Sequence, residues 1–390
     1  MFDVVVVGGG IVGCATALSC AKRVMRTLLL ERGAIAGETS SAGMGHLMLQ
    51  PQPDVLARLT FASVMLWKRW CAELGTFTLD ECGVLWLAED AAGLVVCDRI
   101  AADFASLRIA STRLDGAGVR LHEPALAADL AGGLHCDFDA IVVPMRAAAA
   151  FVAAARQHGA EVRHGTPVLA ITPDSRGRVA AVTTPAGSIA TAAVVIAAGV
   201  WTPEVAALAG IHGVPIRPRR GDLAVTAPGS CPIRMQLLEV GYLASAGKGD
   251  PRTADPGSLA LNVQPQARGT CLIGATRQFS GIDRRVDRGL LARSLRRAVR
   301  FVPALADAPL VRTWAGLRPW SPDRLPLVGP VPGRPGLWLA SGHEGLGLTL
   351  APITGEIIAG ALRGEAPASA AAALLPARFG LHAGRVEAES

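Results

Sequence analysis

The chain has 390 residues, 51% of them hydrophobic, and a formal net charge of +6 at pH 7. This length allows two domains, or one domain with a large insertion. The positive charge does not indicate a nucleic-acid-binding protein, because the arginines are scattered and cluster only in LLARSLRRAVR at 290–300. That segment has the periodicity of an amphipathic helix with a solvated basic face.

The eight cysteines form neither a CxxC motif nor a zinc-binding pattern, so we expect free thiols and no metal. Free thiols are typical of a reducing cytoplasm. The sequence predicts neither a signal peptide nor an apolar run of about 20 residues that would cross a membrane. We therefore expect a cytoplasmic protein, with peripheral association with the inner membrane as the alternative.

The first thirty residues predict a strand, a glycine-rich turn, a helix and a second strand. Residues 3–7, DVVVV, have the β-branched composition of a buried parallel strand. A helix is expected over 11–23 and a second strand, TLLLE, over 27–31. This order is typical of a Rossmann-like nucleotide-binding unit.

Three glycines in this unit, Gly8, Gly10 and Gly13, complete a G-x-G-x-x-G motif. The first permits a tight turn, the second lets the backbone approach a pyrophosphate, and the third lets helix and strand pack closely. Glu31 ends the second strand, where a carboxylate accepts hydrogen bonds from ribose hydroxyls and repels the 2′-phosphate of NADP. Arg32 would suit such a phosphate, but beside Glu31 we expect it to be solvated. The motif predicts a dinucleotide and does not decide between FAD and NAD.

Further elements follow along the chain. A long helix is expected over 55–74, followed by loop-rich material, and a buried strand over 194–198 ends at Gly199, where the backbone can approach a ligand. SGHEGLGLT at 341–349 predicts a strand, a glycine-rich turn and the start of a helix. Alternating apolar residues predict an antiparallel sheet, with strands at 222–226, 237–243, 258–265 and 270–276.

Arg318 lies in WAGLRPWSPDRLPLVGP at 314–330, between apolar residues and before a proline. A strand that enters a core does not carry a guanidinium unless the charge has a partner or a use. A paired carboxylate within the protein is one interpretation, and a bound anionic ligand is the one that we favour.

The chain resembles the D-amino acid oxidase/glycine oxidase family of FAD-dependent oxidoreductases, to about residue 365. The resemblance implies an α/β fold with α+β insertions, in which a Rossmann-like FAD-binding domain carries an antiparallel-sheet substrate domain. The segments that carry it are GETSSAGMGHL (37–47), GAEVRHGTPVLAI (159–171), GRVAAVTTPAGSIATAAVVIAAGVWT (177–202) and LWLASGHEGLGLTLAPITGEIIAG (337–360).

The resemblance also implies the domain boundaries. Each domain is discontinuous, because the two parts of the substrate domain are inserted between parts of the FAD domain. We expect an FAD-binding domain from 1–45, 145–210 and 325–370, a substrate-binding domain from 46–144 and 211–324, and a C-terminal tail from 371–390.

The implied cofactor is FAD, held without a covalent bond. Its predicted contacts come from the G-x-G-x-x-G unit, the loop after the second strand, the strand that ends at Gly199, and the second glycine-rich turn. They are Gly8, Gly10, Ile11, Val12, Gly13, Glu31, Arg32, Thr39, Ser40, Ser41, Ala42, Gly43, Met44, Gly45, Val168, Ala198, Gly199, Trp201, Gly342, His343, Gly345, Leu346, Gly347, Leu348 and Thr349.

The implied substrate-binding residue is Arg318, because the arginine of a GLRP motif binds the substrate carboxylate in glycine oxidase-like enzymes. Tyr242, the only tyrosine in the chain, corresponds to a strand tyrosine that assists it; an ordinary half-buried aromatic is the alternative. His46 has two interpretations, facing the substrate or hydrogen bonding to the backbone. Glu344 is expected to contact the substrate amine, and Gly345, with its neighbour Leu346, leaves room for a larger or cyclic substrate.

Within the family, AGMGHL, GYLASAG and ALNVQPQARGTCLIGATRQFSG look most like bacterial D-hydroxyproline dehydrogenases. The expected reaction is the oxidation of cis-4-hydroxy-D-proline to a cyclic imine. The alternatives are a glycine, sarcosine or D-amino acid oxidase, a 2-hydroxy-acid dehydrogenase with His46 as base, and a flavin subunit of a larger complex. Oxygen, a quinone and a protein all remain open as electron acceptor, and a homo-oligomer is compatible with the sequence.

Overall fold

The computed structural model describes residues 1–51, 55–246, 256–365 and 369–381. Its strands alternate with helices in the first third of the chain and dominate the middle. In chain order the strands are β1 (Val4–Val7), β2 (Thr27–Leu30), β3 (His46–Leu47), β4 (Leu79–Asp80), β5 (Val84–Ala88), β6 (Thr112–Asp115), β7 (Gly132–Cys136), β8 (Ala140–Val142), β9 (Glu161–Arg163), β10 (Ala170–Pro173), β11 (Val179–Thr184), β12 (Gly187–Ala190), β13 (Val194–Ile196), β14 (Arg217–Thr226), β15 (Gln236–Glu239), β16 (Ser258–Gln266), β17 (Thr270–Arg277), β18 (Leu310–Trp320), β19 (Leu327–Pro330) and β20 (Leu337–Ser341).

The helices predicted at 11–23, 55–74 and 290–300 are confirmed, and each end agrees to within two residues. No helix among the described residues is both long and apolar enough to cross a membrane. The helices are α1 (Ile11–Lys22), α2 (Val55–Leu74), α3 (Ala91–Ser106), α4 (Gly116–His122), α5 (Pro144–Gln157), α6 (Thr202–Ala207), α7 (Gly241–Ala246), α8 (Arg288–Phe301) and α9 (Ala351–Leu362).

The first sheet has the strand order β19-β20-β13-β1-β2-β9. Its pairs are parallel except β19 with β20, and β1 is buried at every residue, as its β-branched composition predicts. Helices α1, α5 and α9 pack together on one face. All six strands fall within the three segments predicted for the FAD-binding domain; the boundaries themselves stay a prediction.

The second sheet has the order β18-β14-β17-β16-β15-β5-β7-β6. It contains the four strands predicted between 222 and 276, so the α/β fold class with an antiparallel substrate-domain sheet is confirmed. One pair, β15 with β5, is parallel. The predicted strand at 237–243 was too long, because β15 ends at Glu239 and α7 follows.

The region after α2 is not merely loop-rich, contrary to our expectation. It contributes β5, β6 and β7 to the second sheet. β5 is buried at all five positions, so its sequence, VLWLA, lacks the alternation that identifies a half-exposed strand. Such a run can be recognised as a strand only when its pairing partners are known.

Part of the predicted C-terminal tail packs against β19 of the first sheet. Ala371, Leu374 and Leu381 are buried, and Arg378 forms an ion pair with Asp323 at 2.6 Å. Residues 382–390 of that predicted tail lie outside the described residues.

The expectation that all cysteines are free thiols was wrong for one pair. Cys231 and Cys271 form a disulfide across 40 residues of sequence. Cys271 lies at the start of β17, and the backbone N–H of Cys231 donates to the carbonyl of Gly269 at 2.8 Å, so the sheet brings together two side chains that sequence spacing does not relate.

We predict that the unfolded, unreduced protein exposes six thiols and that reduction raises the number to eight, since six cysteines are free in the structure and the chain has eight. Alkylation followed by mass spectrometry measures both numbers. As a control, Cys231→Ser should expose one thiol more than the wild type before reduction. Eight thiols before reduction would contradict the pairing.

Candidate active site

A cavity of about 470 Å³ lies between the two large sheets. The carboxyl ends of β1, β2, β13 and β20 form one side of it, and β14, β16, β17 and β18 form the other. Ligands bind at the carboxyl ends of strands in open parallel sheets. The cavity therefore lies where a Rossmann-like fold would bind a cofactor, and the second sheet lines its other side.

The structure brings most of the sequence-predicted site residues into this cavity. Arg318, Tyr242, His46 and Glu344 all line it. The cofactor candidates that also line it are Gly8, Gly10, Ile11, Val12, Glu31, Arg32, Thr39, Ser40, Ala42, Gly43, Met44, Gly45, Val168, Ala198, Gly199, Trp201, His343, Gly345, Gly347 and Leu348.

Five predicted cofactor residues do not line the cavity. The hydroxyl of Ser41 donates to the carbonyl of Glu38 at 2.9 Å, and buried Thr349 accepts from the N–H of Met48 at 3.1 Å. Both side chains form hydrogen bonds within the protein. The sequence predicted the residue types in these segments but not the direction in which each side chain points. The five are Gly13, Ser41, Gly342, Leu346 and Thr349.

The three motif glycines differ in what surrounds them. Gly8 has φ +113°, and a Cβ there would lie 2.5 Å from the carbonyl oxygen of Ala197. A Cβ on Gly13 would lie 1.8 Å from the oxygen of Gly8, which is the close helix–strand packing that the motif predicts. A Cβ on Gly10 would meet only the hydroxyl of Ser40, at 3.4 Å. The protein thus leaves open space above Gly10, beside the N-terminus of α1, as a bound pyrophosphate requires.

Glu31 is fixed by the backbone at the mouth of this space. Its two carboxylate oxygens accept hydrogen bonds from the N–H of Gly9 at 2.6 Å and of Gly33 at 2.7 Å. Each oxygen keeps a free lone pair, because a carboxylate offers about four acceptor sites. The side chain is thereby held at the cavity with acceptor sites left for the ribose hydroxyls that the sequence predicts as its partners.

Arg32 is half exposed, in agreement with the expectation of a solvated side chain, but it also has two contacts within the protein. Its guanidinium lies 4.2 Å from the centre of the Trp201 ring and 3.8 Å from the Glu38 carboxylate. This cation–π contact connects the end of β2 to the segment after β13, so Arg32 and Trp201 together close one end of the cavity.

The loop at 39–45 is attached to the second sheet. The hydroxyl of Thr39 donates to the carbonyl of Leu317 at 2.6 Å, and the indole N–H of Trp314 donates to the carbonyl of Ala42 at 3.2 Å. Both bonds go to β18, the strand that carries Arg318. The loop and that arginine therefore have a common support.

Gln264 was not predicted as a site residue. It lies on β16, and its side-chain N–H donates to the carbonyl of Met44 at 2.8 Å. It acts on the cavity through the loop, so only the three-dimensional contact identifies it.

Arg318 extends from β18 into the interior, where Nη1 donates to the carbonyl oxygen of Thr276 at 3.0 Å. Burial lowers the pKa of this guanidinium, and the carboxylate of Glu344 opposes that change. An arginine nevertheless stays charged in a protein. The guanidinium has four further N–H donors. Because the group is planar and rigid, this one hydrogen bond restricts the directions in which the other donors point.

Glu344 lies in the turn between β20 and α9, with φ +47°, a left-handed conformation that is costly for a residue with a side chain. Its carboxylate is 3.4 Å from Arg219 Nη1 and 4.0 Å from Arg277 Nε. Burial alone would raise its pKa, but Arg318, Arg277 and Arg219 outweigh burial and lower it. Glu344 is therefore ionised at neutral pH.

The two other arginines in this group were missed by sequence analysis. Arg219 and Arg277 are almost fully buried, on β14 and β17. Their neighbours in sequence are ordinary strand residues, and neither lies in a recognisable motif. Their strands place both guanidinium groups within 4.0 Å of the Glu344 carboxylate.

Tyr242 lines the cavity from α7, not from a strand as predicted. Its ring lies 4.4 Å from the guanidinium carbon of Arg277. The chain turns at Val240, immediately after the short β15, so the residues of GYLAS continue as a helix.

His46 forms a pair with Asp139. Its Nε2 lies 2.8 Å from one carboxylate oxygen, and the other oxygen accepts the N–H of Leu49 at 2.9 Å. The expected alternative of a backbone hydrogen bond therefore does not describe this imidazole, and Asp139, buried and distant in sequence, was missed.

His343 is buried in the second glycine-rich turn, and its Nε2 lies 2.9 Å from the hydroxyl of Thr354. Burial lowers the pKa of His343 to about 3, so its ring is neutral.

The turn contains a short 3-10 helix, Glu344–Leu346, and α9 begins only at Ala351. The helix start was thus predicted too early.

Comparison with known proteins was made on this basis. A family model described as FAD dependent oxidoreductase matches residues 3–361. Glycine oxidase from Geobacillus kaustophilus is 32% identical over 92% of both chains. The match to the solved structure of glycine oxidase from Geobacillus kaustophilus covers 96% of this chain and 98% of the glycine oxidase chain, with a TM-score of 0.84.

Two other relatives extend the comparison. The hydrogen cyanide synthase subunit HcnC of Pseudomonas aeruginosa is 32% identical over 78% of this chain and 68% of its own length. The structure of L-proline dehydrogenase from P. horikoshii has a TM-score of 0.87 at 23% identity, covering 97% of this chain and 98% of that one; at this identity the likeness is one of fold.

We predict that Gly10→Val abolishes FAD binding without unfolding the protein. The protein leaves room for the first side-chain atom at this position, so a larger side chain displaces the ligand and not the fold. The visible flavin absorbance of the purified variant reports FAD, and circular dichroism reports the fold. Gly289→Val, in α8, is the control and should stay yellow. A yellow Gly10→Val protein would contradict the placement.

Proposed function

Because this chain belongs to the FAD-dependent oxidoreductase family, we propose that it oxidises the C–N bond of an amino or imino acid, with cis-4-hydroxy-D-proline as substrate. The observation that carries the proposal is the charged Arg318 guanidinium inside the cavity, beside an ionised Glu344. A carboxylate and an amine on one small molecule complement this pair.

Bound FAD supplies a hydride acceptor for such a reaction. Its proposed contacts are the cofactor candidates that line the cavity, with no covalent bond. The space above Gly10, the oriented carboxylate of Glu31 and the loop held by β18 would together hold a dinucleotide.

Arg318 would bind the substrate carboxylate through two parallel hydrogen bonds, which fix both its position and its direction. Tyr242 lines the same part of the cavity, next to Arg277, and would add a hydroxyl to the carboxylate site. The two side chains hold the substrate so that its α-carbon has one allowed orientation.

Glu344 would hold the substrate nitrogen. Its lowered pKa makes it a good counter-ion for an ammonium group and a weak base. The amine must lose its proton before hydride leaves the neighbouring carbon, and that proton goes to solvent. Glu344 therefore orients the nitrogen and does not itself need to be protonated.

The absence of a side chain at Gly345 supports a cyclic substrate. A Cβ there would lie 3.9 Å from Cδ and Nε of Arg318, so it would not disturb the arginine and would only fill the cavity beside it. The space that glycine leaves next to the carboxylate site is where the ring of a proline derivative would extend.

One observation favours a second function, the oxidation of a 2-hydroxy acid. Such a substrate would use the same Arg318, but its hydroxyl is far less acidic than an ammonium group and requires a base. The hydrogen-bonded pair of His46 and Asp139 at the cavity wall is suitable, since the carboxylate orients the imidazole for proton transfer.

Three classes of electron acceptor are candidates for the reduced flavin. The similarity to a protein named as a subunit supports testing a protein partner beside oxygen and a quinone.

To test the proposal, we would mix the FAD-loaded protein anaerobically with single substrates and follow the flavin absorbance. The set would contain cis-4-hydroxy-D-proline, D-proline, L-proline, sarcosine, glycine, D-alanine and lactate. We expect fast bleaching by cis-4-hydroxy-D-proline, with D-proline next, because both are cyclic and have the D configuration at the α-carbon. Bleaching by glycine and sarcosine alone would assign an oxidase of small amino acids, and bleaching by lactate would assign the second function.

We predict that Arg318→Ala raises KM for the substrate by roughly 100-fold or more, since a charge-assisted bidentate contact is lost. FAD content should be unchanged. Arg312→Ala is the matched control, because Arg312 is exposed on the same strand and its loss should leave KM unchanged. An Arg318→Ala enzyme with wild-type KM would exclude the carboxylate role.

A further inference from the structure

We propose that Gly221 is a positioning residue for Arg318, and that it sets where the substrate carboxylate binds. The inference rests on the proposed function, in which Arg318 holds that carboxylate. It adds a residue that neither a motif nor the resemblance indicates, since Gly221 stands in the ordinary strand segment RRGDLAVT.

The register of two strands brings the residues together. β14 pairs with β18 so that Arg219 is opposite Arg318 and Gly221 is opposite Gly316. Alternate residues of a strand share one face of a sheet, so Gly221 is the diagonal neighbour of Arg318 on the face toward the cavity. Both residues line that cavity.

The Arg318 guanidinium lies directly over Gly221. A Cβ built on Gly221 would be 2.3 Å from Nη1, 2.5 Å from Nη2 and 2.6 Å from Cζ of Arg318, distances at which no real side-chain carbon fits. Beyond Gly221 the same guanidinium reaches β17, where Nη1 donates to the carbonyl of Thr276. The side chain of Arg318 therefore crosses β14, and it crosses at the one position without a side chain in its way.

Backbone conformation does not explain this glycine. The φ angle of Gly221 lies outside the left-handed region that favours glycine, and glycine within a strand is otherwise destabilising. The nearest atoms that a side chain would meet all belong to the Arg318 guanidinium. The space taken by that group is thus the reason for glycine that the structure supplies.

The consequence of a side chain at 221 is displacement of Arg318. The opposing atoms form the end of a flexible side chain, which can move while the paired backbones stay in place. Movement away from β14 separates Nη1 from Thr276 and pushes the guanidinium into the cavity, toward Gly345. The carboxylate site then shifts while the cofactor residues on the other side of the cavity are untouched.

The test is Gly221→Ala in the FAD-loaded enzyme, compared with Arg318→Ala, the double variant and Gly289→Ala. Gly289 lies in α8, where a Cβ makes only an ordinary contact, 3.5 Å from Asp287. Two readouts are used. One is KM and kcat for the substrate found by anaerobic mixing, and the other is the dissociation constant of acetate from the change that it causes in the flavin spectrum.

We expect Gly221→Ala to raise KM and the acetate dissociation constant at least tenfold, with wild-type FAD content and melting temperature. In the Arg318→Ala background the same substitution should change neither constant, because the group that it displaces is gone. Gly289→Ala should behave as wild type in every measurement.

The other outcomes are equally informative. Wild-type constants for Gly221→Ala, with Arg318→Ala impaired, would overturn this inference and leave the proposed function intact. No acetate binding by the wild type and no effect of Arg318→Ala would overturn both. If Gly221→Ala fails to fold, recovery of folding in the double variant supports the displacement of Arg318, and failure of both variants assigns Gly221 to the fold and overturns the inference.

Discussion

The charge of the Arg318 guanidinium, placed inside the protein, is the constraint on which the arrangement of the cavity depends. A buried cation is costly unless other groups compensate for it. Here a backbone carbonyl on β17 accepts one hydrogen bond and the Glu344 carboxylate supplies negative charge nearby. Arg318 also lines the cavity, where an anionic ligand would accept hydrogen bonds from its remaining donors. Binding of such a ligand would then also compensate the buried charge.

That constraint connects the two sheets. Arg318 is a residue of β18, and the same strand holds the loop at 39–45 through Leu317 and Trp314. The loop follows β2, which ends at Leu30, one residue before the oriented Glu31. One edge strand therefore determines both the position of Arg318 and the path of a loop that lines the cavity. A substitution on β18 that shifts the strand would be expected to affect both.

The sequence predicted what is local and missed what depends on long-range pairing. The G-x-G-x-x-G unit was predictable because its turn, helix and strands are contiguous. Arg318 was predictable because a guanidinium among apolar residues is conspicuous. Asp139 was not, since it meets His46 across 93 residues, and neither was Gly221, whose role appears only when β14 is aligned with β18. Tyr242 was assigned to the cavity correctly and to the wrong element, because the end of β15 is fixed by its partners and not by its own composition.

The two acid–base groups at the cavity have different surroundings, and this difference separates the two candidate reactions. Glu344 is surrounded by guanidinium groups that lower its pKa, so it is suited to be a counter-ion and unsuited to removing a proton. His46, paired with Asp139, has the partner that a base requires. An amine needs only the first group, because solvent takes its proton readily, whereas an alcohol needs the second. A reaction that depends on Glu344 and tolerates the loss of His46 is therefore an amine oxidation, and the opposite dependence identifies a hydroxy acid.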